Sequence, residues 1–236
     1  MRLAVMQPYL FPYLGYFQLV NAVDQFVFFD DVNFINKGWI NRNQLLQQNE
    51  AYLFSLPLMK ASQNRMINEI EIADYSKWRN LFLKQIEMNY RKAPFFTKTF
   101  AWLDDFLFAK NYNLIGELAS DSVKAVSALL GIKTSFYYSS QLNYKNENTT
   151  NGQGKILHIC EMMGTDTYIN PKNGEGLYNA EYFRDKNVEI KFIFMDEIKY
   201  PQFLPDKFVP YLSILDLLMF NNSNKAEALL NKYALK

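Results

Sequence analysis

Apolar and polar positions along the chain follow two different periods. Residues 2–6 (RLAVM) form a short apolar run that stops at Gln7-Pro8 and predicts a fully buried strand. After the loop QPYLFPYL, Phe17, Val20 and Val23 recur at helical spacing behind Gly15, and residues 25–29 (QFVFF) make a second buried run ending in Asp30-Asp31. Strand, loop, helix and strand in so short a stretch is a βαβ unit, which predicts a parallel sheet. Farther on, 51–58 (AYLFSLPL) and 66–72 (MINEIEI) read as strands, the second by strict alternation. Residues 75–130 turn helical in three segments, the last closed by Gly131. Strand and helix then alternate again through KTSFYYS, KILHICEMM, DTYIN, AEYFRDK and EIKFIF, before terminal helices. The fold class predicted is α/β: a single domain over 1–236 built on a mostly parallel sheet, with a helical insertion, subdomain or lid at about 75–130. The polar stretch 143–154 is either a mobile loop over a site or a plain linker.

Length and composition sharpen this. A chain of 236 residues fits one domain, with or without an insertion. With 25 basic against 24 acidic side chains of scattered sign, it carries no footprint for bulk nucleic acid and no polybasic membrane patch, so the expected partner is a small molecule. Residues Leu3 to Val23 are uncharged and follow Arg2, as in a signal peptide or membrane span. Pro8, Pro12 and Gly15 break any helix there, Gln7, Gln18 and Asn21 interrupt it, and no small-x-small cleavage site follows. The expectation is a cytoplasmic, soluble protein with no membrane span. One cysteine (Cys160) and one histidine (His158) exclude a disulfide framework and a Cys/His metal cluster, and no metal ligands are assigned. His158, in ILHIC, belongs to a helix in or near the core. Lys outnumbers Arg 19 to 6, so an Arg marks a place where the forked guanidinium has a use. Aromatics reach 17% and mostly announce a large core.

In an open parallel sheet the ligand crevice lies beyond the carboxyl ends of the strands. Four segments fall there. Gln7 to Tyr16 follows the first strand, and the start of its helix at Gly15 is a candidate anion site. Asp30 and Asp31 end the second strand; on an extended backbone adjacent carboxylates face opposite ways, so one pairs locally while the other faces the crevice, for a ribose hydroxyl or a metal-bound phosphate. The alternative is a turn with an Asx cap. Lys37, Trp39, Asn41, Arg42 and Asn43 form a dense donor cluster, either a clamp for phosphate or carboxylate or a solvated loop. Tyr168 and Asn170 end a later strand before a loop containing Gly174, a second-substrate site or a flexible turn. Ser213 and Asp216 read as a capping box for a terminal helix.

Taken in order, QPYLFPYLGYFQLVNAVDQFVFFDDVNF, KGWINRNQL, APFF, TDTYIN, YPQF and SILDLL resemble the WbqC-like protein family of bacteria over essentially the whole chain. The resemblance implies an association with cell-surface polysaccharide (O-antigen) gene clusters and a glycine-transferase role. The opening βαβ unit is also similar to the nucleotidylyltransferase and aminoacyl-tRNA synthetase superfamily, which implies a Rossmann-like sheet. Tyr13 and Tyr16 stand where that superfamily has the histidines of His-x-Gly-His, and a phenol donates a hydrogen bond but supplies no cation at neutral pH.

The function expected is transfer of a glycyl or other small acyl group to an amino sugar or nucleotide sugar. Gln7, Tyr9, Tyr13, Gly15 and Tyr16 would hold the donor, with Asp31 as base or hydroxyl ligand, and Arg42, Lys37, Asn41 and Asn43 on the charged group. The cofactor is open. One alternative is nucleotidyl transfer with ATP or CTP and Mg²⁺; another is a non-catalytic nucleotide-sugar binder that stacks its ligand on Trp39 and its neighbours.

Overall fold

A computed structural model describes residues 1–145, 151–204 and 206–236, so positions 146–150 of the polar stretch lie outside the described residues. The chain opens with β1 (Arg2–Met6), α1 (Leu14–Asn21) and β2 (Gln25–Phe28). A hairpin of β3 (Arg42–Gln47) and β4 (Glu50–Ser55) follows, then β5 (Leu58–Met59) and β6 (Glu71–Ile72), and the helices α2 (Tyr75–Tyr90), α3 (Phe96–Phe108) and α4 (Ile115–Leu129). The alternation resumes with β7 (Ser135–Tyr138), α5 (Gly152–Met162), β8 (Thr167–Pro171), α6 (Ala180–Arg184) and β9 (Glu189–Met195). It closes with α7 (Ile214–Phe220), α8 (Ser223–Leu229) and β10 (Tyr233–Leu235).

Six strands make the central sheet in the order β10-β9-β8-β1-β2-β7, parallel throughout except for β10 against β9. Both faces are covered, which is why β1 reads as an unbroken apolar run. Alternate side chains enter two different cores. Leu3 and Val5 join Val27 and Tyr168 against Ile156, Ile159 and Cys160 of α5 and Phe183 of α6. Ala4, Phe26, Phe28 and Ile169 face the larger core, which takes in α1, α7 and all three inserted helices through residues such as Phe82, Leu103 and Leu118. Cys160 is fully buried, and burial pushes its thiol up to about 12. His158 lies on the half-exposed side of α5, with Nδ1 3.3 Å from Glu161 Oε2. Among the described residues no helix is long and apolar enough to cross a membrane.

Two expectations change. The alternating stretch 66–72 gives only the two-residue β6, preceded by a 3-10 turn at Ile67–Glu69. Its donors go elsewhere: Ile67 N bonds Val32 O at 2.9 Å and Asn68 N bonds Asp30 O at 3.0 Å, so the strip folds over the segment after β2 instead of extending. The capping box at Ser213 forms by half. Ser213 Oγ accepts from Leu215 N at 3.3 Å, but the Asp216 carboxylate turns inward.

There Asp216 gathers three donors. Tyr90 Oη of α2 reaches Oδ1 at 2.9 Å, while Tyr200 Oη (2.7 Å) and Gln202 Nε2 (2.8 Å) reach Oδ2. Tyr90 Oη in turn accepts from Leu46 N of β3 at 2.7 Å. One buried carboxylate thus joins the inserted hairpin, α2, α7 and the 200–203 segment. Burial raises its pKa despite the donors. A raised carboxyl binds its proton more tightly in the folded chain, so its stabilising contribution is complete below the unfolded value of about 3.9 and is lost as pH rises through the folded one. Asp216→Asn places an NH₂ among three donors and should lower unfolding free energy by about 1–3 kcal/mol in urea titrations. The gap to the wild type should be widest in acid and narrow as pH rises; equal midpoints at every pH would show that the network carries no stability.

Candidate functional site

The strand order places the crevice. From β1 the chain moves to β2 and β7 on one side, then crosses to β8 and β9 on the other, so order reverses between β1 and β8. In open parallel sheets, ligands bind where the loops leaving such strand ends diverge.

The loop after β1 is held rigidly from within. Phe11 is fully buried with a left-handed backbone (φ 44°), an uncommon state for an aromatic residue. Its carbonyl accepts from Asn43 Nδ2 (2.5 Å) and Ser213 Oγ (2.8 Å), and its N–H donates to Ser122 Oγ (3.1 Å). Asn43 Oδ1 also takes Gln44 N, so this carboxamide is spent on the scaffold. Asn41 is likewise engaged, its Nδ2 bonding Leu56 O at 2.8 Å. Arg42 Nε bonds Gly38 O at 2.7 Å and its guanidinium also bonds Lys37 O, closing the turn before it. The expected donor clamp is therefore largely a set of backbone fasteners. What it leaves at the surface is Lys37, exposed and left-handed (φ 58°), and Trp39.

Around that loop aromatic rings gather. Trp39 is 47% exposed, with the Arg42 guanidinium 5.4 Å from its ring centre and Tyr9 at 6.2 Å. Tyr9 packs edge-on to Tyr16 (6.1 Å), and Tyr13 packs edge-on to Tyr211 (6.1 Å). Burial above all raises the Tyr9 phenol, with Tyr13 adding and Arg42 opposing. Tyr13 is raised too, by burial first and then by Tyr211, so both phenols stay protonated as donors. Tyr16 is spent internally: it is buried and donates to Gln7 O at 2.9 Å. At Gly15 a Cβ would stand 1.9 Å from Met195 Sδ and 2.5 Å from the Tyr13 ring, so those side chains pack directly on the glycine.

Asp30 and Asp31 correct the expectation of opposed carboxylates. They lie beyond the last residue of β2, where strand alternation no longer applies, and both are buried and converge on Ser139. Ser139 Oγ lies 3.0 Å from Asp30 Oδ1 and also bonds Asp31 Oδ1; Asp30 takes Ser140 N (3.0 Å) and Ser140 Oγ (2.7 Å) as well. Tyr144 Oη donates to Asp31 at 3.1 Å, and the half-exposed Lys145 pairs with its Oδ2 at 2.6 Å. The cation on the acidic pair is thus Lys145. Ser139, Ser140 and Lys145 were findable: the serines follow β7 at its carboxyl end, where the crevice rule points.

The last segment is mainly structural. Tyr168 faces the α5 core, its Oη 3.1 Å from Tyr178 Oη and 3.4 Å from Asn170 Oδ1. Asn170 is buried under the turn at Lys172–Leu177, and a Cβ on Gly174 would meet Asn170 Nδ2 at 2.1 Å, so glycine is required for that close approach. Among the described residues no group of three or more His, Cys, Asp and Glu could hold a metal ion.

The sequence profile of the WbqC-like protein family matches residues 7–228, from Gln7 at the end of β1 to the last turn of α8. The chain belongs to the WbqC-like protein family. A relative, the uncharacterized protein Rv1507c of Mycobacterium tuberculosis, is 23% identical over 218 residues, covering 92% of each chain. No solved structure matches. The WbqC-like match takes in the Phe11 lock, the aromatic cluster, the acidic pair and the Asp216 network together.

Ser139→Ala removes the hydroxyl on which both carboxylates converge and should cost about 1–3 kcal/mol of unfolding free energy. Ser140→Ala, at a partly exposed position, should cost less; equal effects in denaturant titrations would refute the central place given to Ser139.

Proposed function

We propose that the protein transfers a small group, glycyl or another small acyl, to an amino sugar carried as an activated sugar in bacterial surface-polysaccharide assembly. The observation that carries this reading is the exposed Trp39 face, backed by Tyr9 and flanked by Arg42, beside the reversal of strand order. Aromatic faces of this kind bind sugar and base rings by stacking, and neighbouring cations suit a phosphate. Membership of the WbqC-like family supports the same direction. In this reading Trp39 and Tyr9 take the ring, Lys37 the anionic group, and Asp31 receives the proton, while Arg42 holds the turn that presents Lys37. The amino nitrogen bonds to the acyl carbon, the donor's leaving group departs, and the amine proton passes to Asp31, whose Lys145 partner faces solvent.

A second reading, binding without turnover, draws support from the full engagement of both carboxylates by Ser139, Ser140, Tyr144 and Lys145. Nucleotidyl transfer with a nucleotide and Mg²⁺ has less support, because Tyr13 and Tyr16 replace the histidines of that chemistry and Tyr16 donates inward to Gln7 O.

Thermal melting against a panel of nucleotide sugars tests the proposal. A ligand at 100 times its Kd stabilises by about 2.7 kcal/mol, which in a chain of this size is a rise of roughly 5–10 °C. Trp39→Ala should abolish that rise without lowering the unliganded Tm. Mass spectrometry of the sugar then separates the readings: acylation lost in Asp31→Asn supports transfer, and binding without a mass change supports the second. A flat panel, or an unchanged response in Trp39→Ala, rejects both.

A further inference from the structure

The inserted hairpin carries an open edge. Its turn residues Gln48 and Asn49 are both left-handed (φ 51° and 62°), the two-residue geometry in which the flanking pair, Gln47 and Glu50, exchanges both hydrogen bonds. Glu50, Tyr52 and Phe54 therefore direct their N–H and C=O groups toward β3, and Ala51, Leu53 and Ser55 direct theirs outward. The sheet ends there with two strands, and those three residues are exposed. The edge is thinly protected: Glu50–Ser55 contains no lysine, no proline and no bulge, and its one charge, Glu50 beside the turn, lies 3.7 Å from Lys207 Nζ. Beside it runs a groove of about 460 Å³, with Tyr52 and Phe54 on one wall and Trp78, Leu81 and Phe82 of α2 on the other. Tyr52 and Leu53 are 44% and 43% exposed. Native proteins cover or charge an apolar edge of this kind.

We propose that a second copy of this chain covers it, β4 pairing antiparallel with β4 of the copy about a two-fold axis at Leu53. An antiparallel edge is self-complementary under such an axis. With Leu53 opposite Leu53, Ala51 falls opposite Ser55, and each outward N–H and C=O of these residues meets its counterpart. Centring on Tyr52 instead would pair Ala51 only with Leu53 and set Ser55 opposite the turn residue Asn49, so the Leu53 register bonds more of the outward groups. The Leu53 register sets Tyr52 of one copy beside Phe54 of the other. Phe54 faces α2, its ring 4.8 Å from Phe82, so each groove receives the other copy's Tyr52. It also carries Glu50, which within its own chain meets only the exposed Lys207 at 3.7 Å among the described salt bridges, to the Leu56–Pro57 end of the opposite groove, where Lys77 stands with the opposite charge. Asp74, at the same end, already accepts from Lys77 N at 2.9 Å as the cap of α2.

Sedimentation of the full chain from about 1 to about 100 μM should show a species of twice the 27.8 kDa chain mass that dissociates on dilution. Leu53→Pro removes an outward N–H and leaves the β3 ladder intact, so it should weaken dimerisation at least about tenfold with unchanged circular dichroism. Leu53→Lys and Leu53→Glu each place like charges opposite one another and should be monomeric, while an equimolar mixture should recover the dimer. Should Leu53→Pro misfold, the charge-swap pair decides. A wild type monomeric across the range, a dimer that survives either single charge, or a mixture that fails to reassociate overturns the proposal.

Discussion

A single buried residue holds the candidate site in place. The Phe11 backbone sits in a conformation that aromatic residues avoid, inside a core that offers no water to its carbonyl or N–H. It persists because Asn43, Ser213 and Ser122 supply the missing partners from three distant parts of the chain. The hairpin, α4 and the start of α7 thus all meet at the loop after β1. Tyr9 and Tyr13 flank that locked residue, so the aromatic cluster is tied through it to the hairpin, α4 and α7.

Much of the fold was legible because buried parallel strands and amphipathic helices write their periods plainly. The runs at 2–6 and 25–29 appear as β1 and β2, and the helical spacing from 75 to 130 appears as α2, α3 and α4. The failures share one cause, which is that tertiary hydrogen bonding overrides local pattern. MINEIEI alternates like a strand, yet its amides pair with Val32 and Asp30.

The candidate site was legible by position more than by role. Residues at strand ends were the right places to look, but sequence cannot tell a donor aimed at a ligand from one that satisfies backbone. Asn41, Asn43 and Arg42 look like a clamp on paper and are fasteners in space. Asp30 and Asp31 look divergent on an extended strand and converge once the chain has left it. Their partners on Ser139, Tyr144 and Lys145 lie more than a hundred residues away, beyond the reach of any local pattern.

The smaller core, on the α5 side of the sheet, encloses the chain's one thiol. A thiol reagent cannot reach it until that layer opens, and its high pKa keeps it unreactive meanwhile. Labelling kinetics at Cys160 therefore form an internal clock for the opening of one face alone. Compared with amide exchange in the inserted helices, that clock would tell whether the two layers breathe as one cooperative unit or come apart in sequence.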